Sequence, residues 1–281
     1  MLPTTINRAL SIGQKALQPI TENYKNETLW LLQKCLNISS DKLFLQLDRP
    51  LNKLEKNKFD NFLNRRKNRE PLQHILKSID FYGHTILLKK NVFIPRPETE
   101  IFLDILKKEK LTYNQVLEIG TGSGCIPITL ELEKLANSIL SIDTNIDATQ
   151  LAKNNALELN CNNIEFQVCD IFKMQHKIKY DLIISNPPYI PLQDIAQLEP
   201  EVLFYDPLSA LTDYKNGLSF YQFFSNQGSR LLNLNGRMLF EFGGKNQLHQ
   251  IIDIFSKPYY NHQIFNDLNN EPRFILVRLL K

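Results

Sequence analysis

The segment Val116-Leu-Glu-Ile-Gly-Thr-Gly-Ser-Gly124 joins a short apolar run to a glycine-rich turn, and a helical pattern begins directly after it at Cys125. The apolar run is typical of a buried strand. Glycines in the turn let the backbone bend tightly and approach a ligand closely. In open α/β sheets, ligands lie at the carboxyl ends of the strands. We therefore predict that this turn is part of a ligand site.

Strands and helices alternate through the rest of the chain. The further predicted strands are Ile139–Ile142, Ile164–Val168, Asp181–Ser185, Arg237–Phe242, His262–Phe265 and Phe274–Leu280. The predicted helices are Cys125–Leu135, Ala148–Leu159, Gly217–Leu232 and Lys245–Ser256. Such alternation predicts an α/β domain with a mostly parallel sheet that is covered by helices on both faces.

The chain before this domain has a different pattern. Residues 1–76 show the helical spacing of apolar residues and no strand alternation, which predicts a small helical domain. Within it, the segment Lys53–Arg69 is rich in lysine and arginine. We favour a solvent-exposed helix face for this segment over an electrostatic dock for an acidic or RNA-bearing partner.

Two short segments connect these regions. Phe81–Leu88 and Asn91–Ile94, joined by Lys89-Lys90, predict a β-hairpin that links the domains. Pro95-Arg-Pro-Glu-Thr-Glu100 predicts a stiff polar loop before a helix at Ile101–Lys108, because proline fixes φ and is favoured where a helix begins. We therefore divide the chain into a helical domain at 1–76, a hairpin linker at 77–95 and an α/β domain at 96–281.

The composition excludes several classes of protein. The net charge of +3 is too small to indicate a nucleic-acid surface by itself, and no apolar run has the roughly 20 residues of a membrane span. The N-terminus lacks the basic-then-apolar pattern of a signal peptide. Cys35, Cys125, Cys161 and Cys169 form no CxxC pair, so we predict reduced thiols and no metal site. We expect a monomeric, cytoplasmic protein that binds neither DNA nor a membrane.

Three acidic residues lie beside the glycine turn or at the ends of the next strands. Glu118 directly precedes the turn and is placed to orient a ligand ammonium group. Asp143 lies about 20 residues past the glycines, where a carboxylate accepts hydrogen bonds from ribose hydroxyls. Asp170 is placed to meet an adenine amino group, with Ile171 beside it to pack on the adenine face. Each acid would otherwise be a helix N-cap, but the three together favour an adenosine ligand.

A second candidate site follows the strand Asp181–Ser185, which runs into Asn186-Pro-Pro-Tyr189. Two consecutive prolines remove two backbone donors and stiffen the chain. An amide side chain, rigid carbonyl acceptors and an aromatic ring remain, and this set is suited to gripping an NH2 group. The alternative is a Pro-Pro turn without function, and the tetrapeptide alone does not decide between the two.

Together, the glycine turn, Asp143 and Asn186-Pro-Pro-Tyr189 resemble the class I S-adenosylmethionine-dependent methyltransferases that act on NH2 nitrogens conjugated to a π-system. Other motifs narrow the resemblance to the peptide chain release factor glutamine methyltransferase family, the PrmC/HemK type. These motifs are Arg69-Glu-Pro-Leu-Gln-His74, Phe81-Tyr-Gly83, Ile94-Pro-Arg-Pro-Glu-Thr-Glu100, Glu201-Val202, Asp206-Pro207 and Ala210-Leu211. The resemblance covers nearly the whole chain.

This resemblance implies a Rossmann-like sheet of seven strands with the last one antiparallel, and S-adenosylmethionine as methyl donor, leaving S-adenosylhomocysteine. It implies N5-methylation of the glutamine in the Gly-Gly-Gln loop of release factors, with substrate recognition by the helical domain. The expected cofactor-binding residues are Glu118, Gly120, Thr121, Gly122, Ser123, Gly124, Asp143, Asp170, Ile171 and Asn186. The expected substrate-binding residues are Asn186, Pro187, Pro188, Tyr189 and Arg96.

We expect three of these residues to act on the reacting amide. The Asn186 side-chain carbonyl and the Pro187 main-chain carbonyl would accept its two N–H groups. Tyr189 would pack against the acceptor group and face the sulfonium charge with its ring; its alternative is a core aromatic. We expect Arg96 to order the site or to contact the substrate backbone.

Other functions stay open from the sequence. One is a nucleic-acid amino-methyltransferase, acting on adenine N6 or guanine N2, which would need a target-recognition region. Another is a non-catalytic module that binds a release factor or the ribosome. A nicotinamide oxidoreductase is disfavoured because Cys125 occupies the third glycine position of the dinucleotide fingerprint.

Overall fold

The computed structural model describes residues 4–175 and 178–280, which form two compact units that divide after Ser78. The N-terminal unit is helical, as predicted. Its helices are α1 (Ile6–Leu17), α2 (Tyr24–Leu36), α3 (Ser40–Phe44), α4 (Lys53–Lys67) and α5 (Leu72–Leu76). Each helix contributes a buried apolar side chain to one shared core; examples in chain order are Ile6, Leu31, Leu43, Phe59 and Ile75.

Several basic side chains of helix α4 form ion pairs or hydrogen bonds within the N-terminal unit. The Arg66 guanidinium donates from Nε to Glu27 Oε2 at 2.6 Å, and both side chains are buried. Arg65 donates through two nitrogens to the Glu70 carboxylate, and Lys58 donates to two carbonyls near the end of α2. The expectation of a solvent-exposed face is therefore wrong for Arg66, whose pairing with Glu27 joins α4 to α2.

The hairpin consists of β1 (Ser78–Phe81) and β2 (His84–Leu87). Our predicted hairpin is wrong in position. The observed hairpin turns at Tyr82-Gly83, and the segment 91–94, which we predicted as its second strand, forms no strand. Tyr82 and Gly83 have φ angles of 52° and 80°. Positive φ at both central residues belongs to the two-residue turn whose twist matches that of the flanking strands, and glycine adopts it without strain.

The second unit continues with alternating helices and strands. In chain order these are α6 (Ile101–Lys108), β3 (Tyr113–Ile119), α7 (Cys125–Leu132), β4 (Ala136–Asp143), α8 (Ile146–Glu158), β5 (Ile164–Val168), β6 (Tyr180–Ser185), α9 (Pro200–Tyr205), α10 (Leu208–Leu211), α11 (Ser219–Leu231), β7 (Leu232–Glu241), α12 (Lys245–Phe255), β8 (Tyr260–Asn266) and β9 (Pro272–Leu279). Each predicted strand and helix of this domain is present. Helices α9 and α10 lie where we predicted only a long loop, since helices this short show no apolar periodicity.

The seven strands β3–β9 form one sheet in the order β5-β4-β3-β6-β7-β9-β8. Strand β9 runs antiparallel to its two neighbours, and the other paired strands run parallel. One face packs against side chains from α6, α7 and α8, and the opposite face packs against side chains from α11 and α12. This is the mostly parallel, doubly covered sheet that the sequence predicts, with the last strand antiparallel.

The strand register brings several chain segments to one edge of this sheet. Ile119, at the end of β3, pairs with Ile142 on one side and with Ser185 on the other. Ser185 in turn pairs with Phe240 of β7. The residues that follow these positions therefore leave the sheet side by side, at the carboxyl edge where α/β proteins hold ligands.

The segment that follows β6 is fixed by contacts with two later segments. The Tyr189 carbonyl accepts a hydrogen bond from Gln247 Nε2 at 2.7 Å, while Gln247 Oε1 accepts the Gly243 N–H at 2.8 Å. Gly217 has a φ of 77°, and a Cβ at this position would lie 1.9 Å from the Tyr189 carbonyl oxygen. Glycine is therefore required at position 217 for both conformation and space.

We predict that Gly217→Ala destabilises the protein by about 2–5 kcal/mol, because overpacking of about 1–3 kcal/mol adds to the strain of a left-handed alanine. Gly83→Ala is a matched control, since Gly83 has a φ of 80° and no atom lies within 4 Å of its added Cβ. The control should cost only the backbone strain, about 1–2 kcal/mol. Urea unfolding followed by circular dichroism measures both. Equal losses in the two variants would contradict the assigned contact.

Candidate active site

An open cleft lies at the carboxyl edge of the sheet; its volume is about 990 Å³ when the solvent at its mouth is included. Ten of the predicted site residues line it: Gly120, Thr121, Gly122, Ser123, Asp143, Asp170, Ile171, Asn186, Pro187 and Pro188. Residues from other segments complete its wall, among them Phe93, Thr99, Pro207, Ala210 and Phe220. The predicted residues Glu118, Gly124, Tyr189 and Arg96 lie outside this lining. The sheet therefore brings most of the predicted site together.

The three glycines of the turn have different tasks. Gly120, Gly122 and Gly124 have φ angles of 81°, 55° and 82°, which favour glycine. A Cβ on Gly124 would lie 2.9 Å from the Cβ of Ala152 on α8, so this glycine lets α7 and α8 pack closely. Gly120 and Gly122 instead bend the backbone along the cleft wall.

Asp143 joins the end of β4 to the glycine turn. One of its carboxylate oxygens accepts the Gly122 N–H at 2.9 Å, and the other accepts the Asn145 N–H at 2.8 Å. Asn145 is the N-cap of α8, which excludes the capping alternative for Asp143. Burial raises the pKa of Asp143, and hydrogen bonds from the backbone oppose that rise. A carboxylate accepts roughly four hydrogen bonds, so Asp143 keeps acceptor capacity for a ligand.

Glu118 is fully buried behind the cleft wall. Its Oε2 accepts hydrogen bonds from Thr121 Oγ1 at 3.0 Å and from Ser141 Oγ at 2.6 Å. Its Oε1 has no hydrogen-bond partner within the described residues. Burial raises the pKa of Glu118 to about 8. A buried acceptor without a partner is costly, so a cationic donor at this position would be stabilised and would lower that pKa.

Asp170 and Ile171 lie on the wall next to β5. Asp170 Oδ1 accepts the Phe172 N–H at 3.0 Å, and this hydrogen bond stabilises the turn that begins at Asp170. Asp170 also lines the cleft. Lys173 Nζ lies 3.4 Å from the second carboxylate oxygen, on the exposed side. Ile171 is buried and gives the wall an apolar surface. The pair thus combines a local turn with the polar and apolar surfaces expected for an adenine.

The side chain of Asn186 has a defined direction. Its Nδ2 donates to Thr99 Oγ1 at 3.2 Å, and the Thr99 hydroxyl donates to Glu241 Oε2 at 2.9 Å. Because the Thr99 hydroxyl donates its only proton to the carboxylate, its oxygen can only accept a hydrogen bond from the asparagine NH2. The Asn186 oxygen therefore points elsewhere, and no hydrogen bond from the described residues reaches it.

Tyr189 does not contribute its ring to the cleft. Its hydroxyl donates to Glu241 Oε1 at 3.1 Å, and its ring packs against the apolar core on the face covered by α11 and α12. Burial raises the pKa of Tyr189, so it remains a hydroxyl donor. The expected contact between this ring and a sulfonium is not supported, and the core-aromatic alternative describes its position better.

Arg96 orders a loop of the cleft wall. Its guanidinium donates from Nη2 to Asp206 Oδ2 at 2.6 Å and lies over the ring of Phe93, 5.0 Å from the centroid. The Asp206 side chain is almost fully buried, and burial raises its pKa to about 6 although Arg96 opposes the rise. Asp206 precedes Pro207 of the cleft wall. Of the two roles expected for Arg96, this contact supports the ordering role.

Sequence reasoning missed Thr99 and Glu241. Both are buried, and both connect to Asn186-Pro-Pro-Tyr189 through the hydrogen bonds described above. Glu241 ends β7, so it follows the same pattern of acids at strand ends that identified Asp143. Its position between Phe240 and Phe242 concealed it inside an apolar run. Thr99 lies within the predicted loop before the helix at Ile101, and nothing in that stretch of sequence indicates a role in the site.

Other kinds of site are absent from the described residues. No group of three or more histidine, cysteine, aspartate or glutamate side chains within residues 4–175 and 178–280 could hold a metal ion. All four cysteines are free, and three of them are buried. Within the same ranges, no helix has the length and apolar character that crossing a membrane requires.

The residues of the cleft, together with Glu118 behind its wall, fit S-adenosylmethionine. Glu118 Oε1 offers a buried acceptor for its ammonium group, and Asp143 keeps capacity for ribose hydroxyls. Ile171 provides an apolar surface for a flat base, with Asp170 beside it as an acceptor. These features follow from the donors and acceptors present, and each matches one part of the cofactor.

Two family models match the chain in consecutive segments. Residues 8–76 match the PrmC N-terminal domain, and residues 90–203 match the methyltransferase small domain. Among solved structures, a methyltransferase from Pyrococcus furiosus is similar with a TM-score of 0.53 and 19% identity, over 70% of this chain and 89% of that chain. This likeness shows the fold, which is that of the class I methyltransferases.

Curated relatives cover most of the chain. The bifunctional methyltransferase of Rickettsia bellii is 32% identical over 99% of this chain and 55% of its own length, so the chain spans about half of that relative. The release factor glutamine methyltransferase of Geobacter sulfurreducens is 34% identical, over 84% of this chain and 82% of the relative. That of Bacillus subtilis is 32% identical over 92% of both. The chain therefore belongs to the release factor glutamine methyltransferase family.

Proposed function

We propose that this protein transfers a methyl group from S-adenosylmethionine to the side-chain nitrogen N5 of the glutamine in the Gly-Gly-Gln motif of peptide chain release factors. The observation that carries the proposal is the direction of the Asn186 amide, whose oxygen is left for an N–H donor in the cleft. The names of the Geobacter and Bacillus relatives support release factors as the substrate.

The roles of Glu118 and of the cleft residues follow from their acceptors. Glu118 would bind the cofactor ammonium, Asp143 the ribose and Asp170 the adenine, with Ile171 against its face. Asn186 Oδ1 and the Pro187 carbonyl would accept the two N–H groups of the target amide. Pro188 stiffens this segment because proline fixes φ. Gly120, Thr121, Gly122 and Ser123 would surround the cofactor with backbone and small side chains, and Gly124 holds the turn against α8.

A carboxamide nitrogen is a poor nucleophile, because its lone pair is delocalised into its carbonyl. The bound cofactor supplies an electrophilic methyl group. Asn186 and Pro187 would hold the amide so that its lone pair faces that methyl, and such orientation supplies much of the rate. Their oxygens would also stabilise the positive charge that develops on nitrogen as the new N–C bond forms. The N-methylated amide is very acidic, so it loses its extra proton to solvent without a dedicated base.

We also propose a separate role for each of the three segments of the chain. Residues 1–76 would recognise the release factor, residues 77–95 would link the domains, and residues 96–281 would carry out the transfer. We propose that the protein acts as a monomer in the cytoplasm, where release factors work. S-adenosylhomocysteine is then the second product, and neither DNA nor a membrane takes part.

We predict that the protein adds one methyl group to a bacterial release factor in the presence of S-adenosylmethionine. Mass spectrometry of the factor after incubation measures the gain, and fragmentation locates it. A factor whose Gly-Gly-Gln glutamine is replaced by alanine is the control and should gain none. Methylation of DNA in place of the factor, or methylation of the alanine control, would contradict the proposed substrate.

We predict that Asn186→Ala lowers the transfer rate by about 10²–10³-fold, the usual effect of removing one hydrogen-bonding group that stabilises a transition state. Cofactor affinity, measured by calorimetry, should stay close to the wild-type value. Asn246→Ala makes the same change at an exposed position outside the cleft and serves as the control. Full activity in the Asn186 variant would remove this residue from the mechanism.

We predict that Asp143→Ala weakens S-adenosylmethionine binding by roughly 10²-fold or more, because hydrogen bonds to a charged group contribute about 1.5–3 kcal/mol each. Asp147→Ala removes an acid four residues away that pairs with Lys89 outside the cleft, and it should bind the cofactor normally. Calorimetric titration compares the two. An unchanged affinity in the Asp143 variant would refute the ribose assignment.

A further inference from the structure

A buried carboxylate lies directly behind the proposed reaction site. Glu241 ends β7, next to the end of β6, and only 2% of its surface is exposed. It accepts one hydrogen bond on each oxygen, from the Thr99 hydroxyl at 2.9 Å and from the Tyr189 hydroxyl at 3.1 Å. Glu241 and Tyr189 lie outside the cleft lining, so Glu241 is connected to the cleft through Thr99, which lines it.

The carboxylate gives these hydrogen bonds a fixed direction. An ionised carboxylate accepts and cannot donate, so both hydroxyls must point their protons at it. A threonine hydroxyl has one proton, and Thr99 therefore presents only lone pairs to Asn186. The Asn186 amide responds by turning its NH2 toward Thr99 at 3.2 Å. Its oxygen is then the group that faces away from Thr99.

We propose that Glu241 and Thr99 are positioning residues that fix the direction of the Asn186 amide, so that its oxygen, and not its NH2, meets the substrate. This inference rests on the proposed function for its consequence in catalysis. With the opposite direction, the Asn186 NH2 would face the NH2 of the substrate, and two donors cannot pair. Tyr189 donates a hydrogen bond to the other oxygen of the same carboxylate, and this bond anchors the main chain that follows Asn186 to Glu241.

The charge of Glu241 controls this direction. A neutral Glu241 carries a proton that it can donate to Thr99, which frees the threonine proton for the Asn186 oxygen and reverses the amide. The pKa of Glu241 is raised to about 7, and burial is the largest cause. The hydrogen bonds from Thr99 and Tyr189 and the charge of Arg273 oppose this rise, while the nearby Glu98 adds to it. The Tyr221 hydroxyl donates to the main-chain oxygen of Glu241 at 2.6 Å.

The sign of the pH effect follows from this pKa. As the pH falls through about 7, Glu241 takes up a proton and the productive direction of Asn186 is lost. As the pH rises, the carboxylate forms and the Asn186 oxygen is released for the substrate. We therefore expect the transfer rate of the wild type to rise through the titration of Glu241.

The first test reads Asn186 directly and needs no substrate. Nuclear magnetic resonance of the protein with ¹⁵N-labelled asparagine side chains gives the Asn186 NH2 signals, which the Asn186→Ala variant identifies. In the wild type these signals should shift with pH around the titration of Glu241. In Glu241→Gln and in Thr99→Val that shift should be absent, because the ionising group or the connecting hydroxyl is gone.

Glu98→Gln is the matched control, since it removes a neighbouring carboxylate that does not bond to Thr99. Its Asn186 signals should still titrate, with a lower midpoint, because Glu98 raises the pKa of Glu241. Signals that stay constant with pH in the wild type would overturn the proposal. So would a titration that persists unchanged in Glu241→Gln.

The second test measures methyl transfer to a release factor. Thr99→Val should lower the turnover number about tenfold, the effect of one ordinary hydrogen bond, with little change in cofactor affinity. Thr99→Ser keeps the hydroxyl and should restore both the rate and its rise with pH. Equal rates in the valine and serine variants would overturn the proposal. A wild type that transfers no methyl but shows the Glu241-dependent titration would refute the proposed function and support the positioning role.

Discussion

The shared register of β3, β4, β6 and β7 is the constraint on which the site depends. A parallel strand carries its side chains alternately on the two faces, so a shift of one residue would turn each side chain to the opposite face. The observed pairing aligns the end of β3 with Ile142, Ser185 and, through Ser185, Phe240. Acids and amides that are far apart in the sequence therefore emerge together. The apolar packing of both faces holds this register, and the cleft follows from it.

The sequence predicts the parts of the site that depend on one strand end at a time. Asp143, Asp170 and Asn186 each follow an apolar run, and the structure places all three on the cleft wall. Thr99 cannot be identified in this way, because its role depends on contacts between the turn before α6 and the ends of β6 and β7. Glu241 ends a strand as Asp143 does, yet its aromatic neighbours make it resemble part of the core. Contacts between distant segments leave no local pattern to detect.

The difference between local sequence patterns and contacts of distant segments also explains which predictions were wrong outside the site. The hairpin turn is set by Tyr82-Gly83, whose positive φ angles are a local property that the presence of Gly83 indicates. The chain also turns at Lys90-Asn91, where Asn91 has a φ of 64°, but no second strand follows that turn. Arg66 belongs to a basic run, whose composition predicts an exposed position for it and its neighbours. Its buried carboxylate partner, Glu27, lies 39 residues earlier, and pairing across that distance is invisible in composition.

The side chain of Gln247 extends the sheet beyond its last strand pairing. Its amide donates to the Tyr189 carbonyl and accepts the Gly243 N–H, which are groups on the continuations of β6 and β7. One side chain thus replaces a peptide unit between two segments that have already separated. A glutamate would offer two acceptors and a methionine neither group, so only a carboxamide of this length completes both bonds. The chemical identity of a residue on α12 consequently sets how far the rigidity of the sheet reaches toward the cleft.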